Sequence, residues 1–440
     1  MDQFQNDVGV LVPNVLLPGR EADFTAWACV ACDQFTSQPE YWAQVEALTG
    51  GKPSAYRLIL PEAFLGKPGE AERIERINKT MEEYIETGVL EEKERGFVLV
   101  TRTVEGKRRR GLIMALDLEA YDYNKGATTL IRATEGTIVD RIPPRLRIRE
   151  NAPLELPHIL VLIDDPACTV IEPLAEMERA LPLLYDTELM QDGGHVTGRL
   201  VSDTELIGQV LRALTCLADP DAFRAKYGEG AAPLLFAMGD GNHSLATAKA
   251  NWERIKQQDP DALSGGHPAR YALVEVENVH DAGIVFEPIH RVLFGVKPAE
   301  AKETLLALLN AQNGAAALVA GEAPLPTANT HVLPFTARGE KGAFVVTDPN
   351  AQLPVGTLQN AIDALIANAP GAEVDYIHGA DVVAALADKH DAIGFLLPAM
   401  EKSALFPTVI YDGALPRKTF SMGEANEKRY YLECRRITNG

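Results

Sequence analysis

Hydrophobic residues recur with helical spacing in the N-terminal half of the chain. From Ile74 to Ile85 they stand three or four positions apart within EAERIERINKTMEEYIETG, and Gly88 follows. This spacing places them on one face of a helix that ends near the glycine. The same pattern starts at Leu206, just after Asp203, a residue type that caps helix N-termini. Both segments are therefore predicted to be helices that pack on a core.

Strand-like and helix-like segments are mixed along the rest of the chain. Two β-rich runs between Phe97 and Leu118 are joined by Glu105-Gly106-Lys107 and predict a hairpin. Farther on, the strand-like runs RYALVEV, GIVFEPI, AFVVT and AIGFLL are interspersed with the helix-like runs AKETLLALLNAQ, TLQNAIDALIAN and DVVAALADKH. This mixture predicts an α/β or α+β fold with mixed sheets and flanking helices.

The length of 440 residues favours two or three domains. The stretch from Asn313 to Asn329 is rich in Ala, Gly and Pro and lacks sustained periodicity, which indicates a connection or an insertion. We therefore expect an N-terminal α/β region over residues 1–135, a central region over 136–312, and a C-terminal α/β region with a basic tail segment over 313–440.

Composition and charge narrow the class of protein. Lys and Arg number 42 against 62 Asp and Glu, which gives a formal charge of −20. A nucleic-acid partner is not expected, because nucleic-acid binding requires a basic surface. The chain contains no run of eighteen apolar residues and no positively charged leader, so we predict neither a membrane span nor secretion. We therefore predict a cytoplasmic protein. The cysteines number 5, an odd number, which favours reduced thiols over a disulfide framework.

The strongest chemical signal lies in APLLFAMGDGNHSLATAKANWERIKQ, where an apolar run, a turn with two glycines and a helical segment follow one another. A helix N-terminus attracts anions through its unpaired amides and its dipole. Gly239 and Gly241 allow the backbone to approach a phosphate without a Cβ clash. This junction is therefore the predicted phosphate-binding loop.

The polar residues of this loop offer matching chemistry. Asp240 can accept a proton or hold Mg²⁺, Asn242 and Ser244 offer hydrogen bonds, and His243 can serve as donor or acid. The loop matches neither a Walker A sequence nor a complete dinucleotide fingerprint. The alternative is a plain helix entry in which Asp240 and Asn242 satisfy backbone donors and His243 packs.

Residues far along the chain can complete such a site. Asp33, among polar neighbours, is the candidate base or substrate-amine contact, and its alternative role is a turn or helix cap. Cationic or imidazole groups suited to phosphate occur in three segments, each with a structural alternative in surface ion pairs, a solvated edge or a packed core. These candidates are Arg141, His290, Arg291, Lys418 and Arg429. The arginines at 108–110 beside the hairpin turn are interpreted as a solvated tip outside the site.

The whole sequence resembles the bacterial and archaeal domain-of-unknown-function family 1015. The resemblance extends nearly from end to end, through segments that include CDQFTS from Cys32, TEG from Thr134, the stretch from Pro157 to Asp165, GDGNH from Gly239, FEPIHR from Phe286, PRKTFSMG from Pro416, and KRY from Lys428.

The glycine-aspartate loop is in addition similar to the Asp-Gly-His-His-Arg loop of the ParB and sulfiredoxin superfamily. That resemblance implies a nucleotide-binding core and, through the free serine kinases of the superfamily, transfer of a phosphoryl group from ATP or ADP, with Mg²⁺, to a small hydroxylated metabolite such as free serine. In this sequence Asn242 replaces the first His and Ser244 replaces the Arg, so the loop itself lacks a positively charged side chain that could contact phosphate. A metal-dependent phosphatase or nucleotide hydrolase and a noncatalytic nucleotide sensor remain alternatives, and a homo-oligomer is left open.

Overall fold

Helices and strands alternate throughout residues 3–439, the part of the chain that the computed structural model describes. The strands are β1 Val10–Leu11, β2 Leu16–Pro18, β3 Leu90–Glu92, β4 Phe97–Val104, β5 Lys107–Asp117, β6 Tyr121–Asp122, β7 Ile131–Arg132, β8 Leu154–Glu155, β9 Leu160–Ile163, β10 Leu183–Glu188, β11 His195–Val201, β12 Phe236–Asp240, β13 Tyr271–Asn278, β14 Phe286–Pro288, β15 His290–Phe294, β16 Ala315–Ala320, β17 Thr330–Ala337, β18 Glu340–Thr347, β19 Glu373–Ile377, β20 Ala392–Phe395, β21 Phe420–Met422 and β22 Arg435–Arg436.

The helices are α1 Phe24–Trp27, α2 Pro39–Thr49, α3 Glu70–Glu86, α4 Ile142–Arg149, α5 Glu172–Glu176, α6 Thr204–Leu217, α7 Pro220–Tyr227, α8 Asn242–Gln258, α9 Pro298–Gln312, α10 Pro354–Asn368, α11 Ala380–Ala387 and α12 Leu405–Asp412. None of the described helices is long and apolar enough to cross a membrane.

The described chain divides into two compact units. Unit 1 contains the residues up to Val285 and those from Met422 onward, and unit 2 contains Phe286–Ser421. The boundaries expected near residues 135 and 312 both lie inside a unit, because the pairing of strands continues across them. In unit 1, β12 pairs with β7 on one side and β9 on the other, so strands from both sides of residue 135 share one sheet.

Unit 1 is built on a mixed sheet with the order β10-β11-β4-β5-β13-β9-β12-β7-β6, to which β1 adds beside β5. The first five strands of this order, β10, β11, β4, β5 and β13, pair antiparallel with their neighbours, whereas β13 and β9 are parallel. The mixed sheet with flanking helices confirms the predicted fold class. The predicted hairpin is confirmed as β4 and β5, with Glu105 and Gly106 both at positive φ in the turn, as the tight turns of twisted hairpins require.

Each face of this sheet is covered by a different layer. One face packs against α6 and α8 through residues such as Leu214 and Trp252. The other face packs against α2, α3 and the C-terminal segment of residues 426–434, with Trp42, Met81 and Tyr430 in the shared core. Both predicted amphipathic helices are therefore confirmed as α3 and α6, and Asp203 caps α6 by accepting from two backbone amides.

Unit 2 contains an antiparallel sheet with the order β16-β18-β17-β20-β15-β19. Its α9 and α10 pack against each other, and Leu305, Leu309, Leu358 and Ile362 are buried. The expected connection over 313–329 is wrong in part, because β16 lies within it. Because β16 is an edge strand whose side chains are largely exposed, its sequence does not alternate between apolar and polar residues, and this alternation is the pattern from which a strand is predicted.

Gly111 packs closely against Glu275, a buried glutamate of the same sheet. A Cβ added at Gly111 on β5 would overlap the side chain of Glu275 on the neighbouring strand β13, at 2.8 Å from its Cδ. We expect Gly111→Ala to lower the free energy of unfolding by about 1–3 kcal/mol, because the buried Glu275 side chain, which accepts from Arg429, must shift to make room. Urea unfolding measures the change, with Gly51→Ala as the control because its Cβ meets nothing within 4 Å. Equal midpoints for the two variants would contradict this expectation.

Candidate functional site

The glycine-aspartate loop forms a strand-turn-helix junction in unit 1, as its sequence predicts. Strand β12 ends at Asp240, Gly241 adopts a left-handed φ of +81°, and α8 begins at Asn242. A Cβ at Gly241 would stand 3.1 Å from Cα of Ile159, so the turn requires glycine both for its conformation and for space. At Gly239 the requirement is packing, since a Cβ there would lie 2.7 Å from Sδ of Met422.

Asp240 is held at this turn by an amide and by an ammonium group from the far end of the chain. Its Oδ1 accepts a hydrogen bond from the Gly241 N–H at 2.8 Å, and Nζ of Lys428 lies 3.1 Å from its Oδ2. The side chains of Asp240 and Lys428 are 26% and 10% exposed, respectively. Burial opposes ionisation, but Lys428 and then His158 outweigh it and lower the pKa of Asp240. Asp240 is therefore an ionised anchor and a weak proton acceptor.

A second set of contacts brings the segment of Asp33 to the same turn. The hydroxyl of Tyr431 lies 2.7 Å from Nδ1 of His158 and accepts a hydrogen bond from the Cys32 N–H at 3.1 Å. His158 in turn borders Gly241, because a Cβ added at Gly241 would lie 3.6 Å from Cδ2 of His158. Burial raises the pKa of Tyr431, and the charges of Cys32 and Asp33 raise it further. Asp33 itself is half-buried and accepts from the Gln34 side chain at 3.0 Å.

A third segment covers the start of α8. The Thr134 hydroxyl donates to the Met238 carbonyl at 2.7 Å, and the Ile138 N–H donates to Nε2 of His243 at 3.3 Å. Because Nε2 is an acceptor here, the predicted role of His243 as an acid is not supported at that nitrogen. Arg141 ends the turn of 3₁₀-helix that follows Ile138 and is exposed to solvent.

The sequence matches the family described as "Protein of unknown function (DUF1015)" over residues 16–365. The chain belongs to this family. No curated protein is significantly similar to it in sequence.

Several solved structures show a distant likeness to this DUF1015 protein. A conserved hypothetical protein from Pyrococcus furiosus is 10% identical with a TM-score of 0.35, over 74% of this chain and 95% of that one. A free serine kinase in complex with AMP is 10% identical with a TM-score of 0.35, over 74% and 91%. C-terminally truncated SbnI from Staphylococcus aureus is 11% identical with a TM-score of 0.33, over 74% and 83%. Because TM-scores below 0.5 do not establish a shared fold, the site is assigned from its geometry alone.

Arg429 was predicted to bind phosphate, but in this DUF1015 protein it is a structural residue. Its Nε donates to Glu275 at 2.8 Å, its Nη2 donates to Glu433 at 2.6 Å, and its Nη1 donates to the Pro157 carbonyl. Burial disfavours its charge, but the two carboxylates outweigh that effect and raise its pKa. With its donors used inside the core, Arg429 is withdrawn from the predicted site.

Three other candidates lie in unit 2. Arg291 is fully buried and donates to the Gln359 side chain at 3.2 Å and the Arg417 carbonyl at 2.9 Å, so its predicted role as a phosphate ligand is wrong. His290 is buried and accepts from the Leu397 N–H at 3.1 Å, and burial lowers its pKa. Lys418 is exposed and adopts a left-handed φ of +56°. The proposed roles of His290 and Lys418 remain predictions.

The described residues contain no group of three or more His, Cys, Asp or Glu side chains arranged to hold a metal ion. Asp240 would offer Mg²⁺ one carboxylate, both oxygens of which already have partners in Gly241 and Lys428. Mg²⁺ prefers several oxygen ligands in octahedral geometry. The donor set therefore does not fit a resident magnesium ion, and Asp240 is not retained as a metal ligand.

Sequence reasoning missed a second charged pair of unit 1, Arg109 and Glu277, on the face of the sheet that the C-terminal segment covers. Arg109, predicted to be part of a solvated tip, is only 13% exposed, and its Nε lies 2.7 Å from Oε1 of Glu277 on β13. Within residues 3–439, neither Glu277 oxygen has a hydrogen-bond donor in suitable geometry. Burial, with Glu275 and Asp281 nearby, outweighs Arg109 and raises the pKa of Glu277 to about 8. The sequence feature that could have indicated this buried group is the run VEVEN from Val274, which places two carboxylates at alternate positions of an otherwise apolar strand.

We expect Glu277→Gln to gain stability relative to the wild type as pH rises from about 4.5 to about 8. In this window the unfolded chain ionises Glu277 while the folded chain keeps its proton, so only the wild type loses stability through this group. Urea unfolding at stepped pH measures the difference, and Glu75→Gln, at an exposed position of α3, is the matched control. A difference that stays constant, or falls, would mean that Arg109 keeps Glu277 ionised.

Proposed function

We propose that this protein is a nucleotide-dependent phosphotransferase that acts on the hydroxyl of a small metabolite, with free serine as the leading acceptor. The observation that carries the proposal is the 3.1 Å contact between Lys428 and Asp240 at the glycine turn before α8. That contact supplies an ammonium group where Ser244 stands in place of the arginine of similar loops. A helix N-terminus, a glycine turn and a cation together suit the phosphates of a nucleotide.

The electrostatics of the turn favour a phosphate over a neutral ligand. The dipole of α8 places partial positive charge at the end of the helix that begins at Asn242. Lys428 carries three N–H donors, of which one faces Oδ2 of Asp240. Asp240 thus orients the ammonium group beside the turn. The buried Oδ1 of Asn242, which has no hydrogen-bond partner in residues 3–439, can accept from a ribose or acceptor hydroxyl.

Asp33 is proposed as the group that receives the acceptor's proton. The acceptor oxygen forms a bond to the terminal phosphorus of the nucleotide, the bond from that phosphorus to the bridging oxygen breaks, and the hydroxyl proton passes to the Asp33 carboxylate. Tyr431, through Cys32 and His158, connects the Asp33 segment to the loop. Arg141 is retained as a proposed charge-stabilising residue, and Mg²⁺ enters only as the counterion of the nucleotide substrate.

The direct test is to incubate the purified protein with ATP or ADP, magnesium and serine, and to analyse the products. We expect phosphoserine and the dephosphorylated nucleotide in equal amounts, and no phosphoserine when serine is left out. Release of inorganic phosphate that does not depend on any hydroxylated acceptor would identify a hydrolase instead. Nucleotide binding without either product, across a panel of hydroxylated metabolites, would contradict transfer.

We expect Lys428→Met to weaken nucleotide binding by about tenfold or more, because a charged hydrogen bond to phosphate is lost. Isothermal titration with ADP measures the change. Lys428→Arg, which keeps the charge, should retain most of the affinity, and Lys67→Met at an exposed position is the matched control. Unchanged ADP affinity in a folded Lys428→Met protein would remove the loop from the proposed nucleotide site.

We expect Asp33→Asn to reduce turnover by about 10²-fold or more while ADP binding stays near the wild-type value, because the amide cannot take up the proton. Initial rates of phosphoserine formation and titration with ADP separate the two effects. Glu40→Gln, an equivalent change at an exposed position of α2, is the control and should leave both unchanged. Wild-type turnover in Asp33→Asn would assign proton transfer to another group.

A further inference from the structure

A concave pocket of unit 1 lies between α2, the turn of residues 55–58 and α3, and the proposed phosphotransferase site does not use it. Its volume is about 340 Å³, within the range of small-molecule sites. Its lining includes the apolar residues Ile59, Leu60 and Ile77 and the arginines Arg57, Arg73 and Arg76. The pocket therefore combines an apolar wall with three guanidinium groups.

The charge of this pocket is unbalanced in a chain whose net charge is −20. Its one carboxylate, Glu46, lies 3.5 Å from Arg57, which also donates to the Lys52 carbonyl. Arg73 and Arg76 form no salt bridge with any carboxylate in residues 3–439. By contrast, Arg145, on the neighbouring α4, is paired with Glu62. Two guanidinium groups thus remain uncompensated at a concave surface.

Arg73 and Arg76 are positioned to act on one ligand. They are three residues apart on α3 and so lie on the same face of the helix. The Arg73 guanidinium lies over the Phe64 ring, 4.2 Å from its centroid, which restrains its position while leaving its N–H groups at the edge. Arg76 is exposed, so its guanidinium can adjust to a bound group.

The apolar wall of the pocket suits the body of an organic molecule, and one of its residues, Ile77, lies on α3 next to Arg76. Ile59, Leu60 and Ile77 are buried apolar residues that line it. Tyr56 adds a ring stacked on Trp42, with centroids 6.1 Å apart and planes at 14°. A ligand with an apolar or aromatic part would lie on this wall with its charged group toward Arg73 and Arg76.

We propose that this pocket binds a small organic anion, with its carboxylate or phosphate held by Arg73 and Arg76 and its apolar part against Ile59, Leu60 and Ile77. Guanidinium groups recognise both kinds of oxyanion through paired hydrogen bonds. The proposal does not depend on the proposed phosphotransferase activity, because none of these residues belongs to the loop at Gly239–Ser244.

The test uses phenyl phosphate and benzoate as probes, which share a flat ring and differ in the oxyanion, with benzyl alcohol as the neutral analogue. Isothermal titration of the full chain, with tryptophan fluorescence as a second signal from Trp42, measures binding. We expect saturable binding of at least one anion and none of the alcohol. The preferred anion then identifies the ligand as a phosphate or a carboxylate. If neither anion binds better than benzyl alcohol, the proposal is wrong.

Variants locate the binding on α3. Arg76→Ala and Arg73→Ala should each weaken the preferred anion by about tenfold, since each removes a charged hydrogen-bond donor. Lys79→Ala, at an exposed position of the same helix outside the pocket lining, removes an equal charge and should leave the affinity unchanged. Because Arg76 is exposed, its variant is expected to fold normally. Anion affinity that is unaffected by Arg76→Ala and Arg73→Ala, or lowered equally by Lys79→Ala, would overturn the proposal.

Discussion

The buried guanidinium of Arg429 holds the C-terminal segment on the central sheet of unit 1, and the candidate site depends on that attachment. It bridges Glu275 on the sheet and Glu433 in its own segment, and it donates to the Pro157 carbonyl. Removing one partner of such a buried group leaves an uncompensated charge and costs on the order of 3–5 kcal/mol. The neighbour of Arg429 is Lys428, so the same attachment sets the position of the ammonium group beside Asp240.

A second arginine supports this arrangement from the sheet. Arg102 on β4 is buried and donates to the Gly193 carbonyl at 2.9 Å, and also to carbonyls of the C-terminal segment, including that of Lys428. Arg102 lies 4.8 Å from the centroid of the Tyr430 ring. Arg102 thereby satisfies the carbonyls of Asn426, Glu427 and Lys428, whereas the next carbonyl, that of Arg429, accepts from the Ala31 N–H.

Particular elements show why some features were predictable and others were not. The helices α3 and α6, the β4–β5 hairpin and the junction at Gly241 depend on local periodicity and turn chemistry, so their residues carry the pattern themselves. Arg109, Arg291 and Arg429 were misjudged because an arginine has the same local sequence context on a surface as among buried hydrogen-bond partners. Their roles depend on partners such as Glu277, which lies 168 positions from Arg109 in the chain.

By itself the sequence determined the mixed α/β class, the glycine turn before α8 and the anion-attracting end of that helix, since these follow from neighbours within a few residues. Only the tertiary structure decided that Lys428, and not Arg429, reaches Asp240, and that Tyr431 and His158 connect the Asp33 segment to the loop. It also decided that Arg73 and Arg76 face a pocket without a compensating carboxylate. The reason is physical: ion pairs and pockets form between side chains that folding brings together, and sequence periodicity carries no information about that distance.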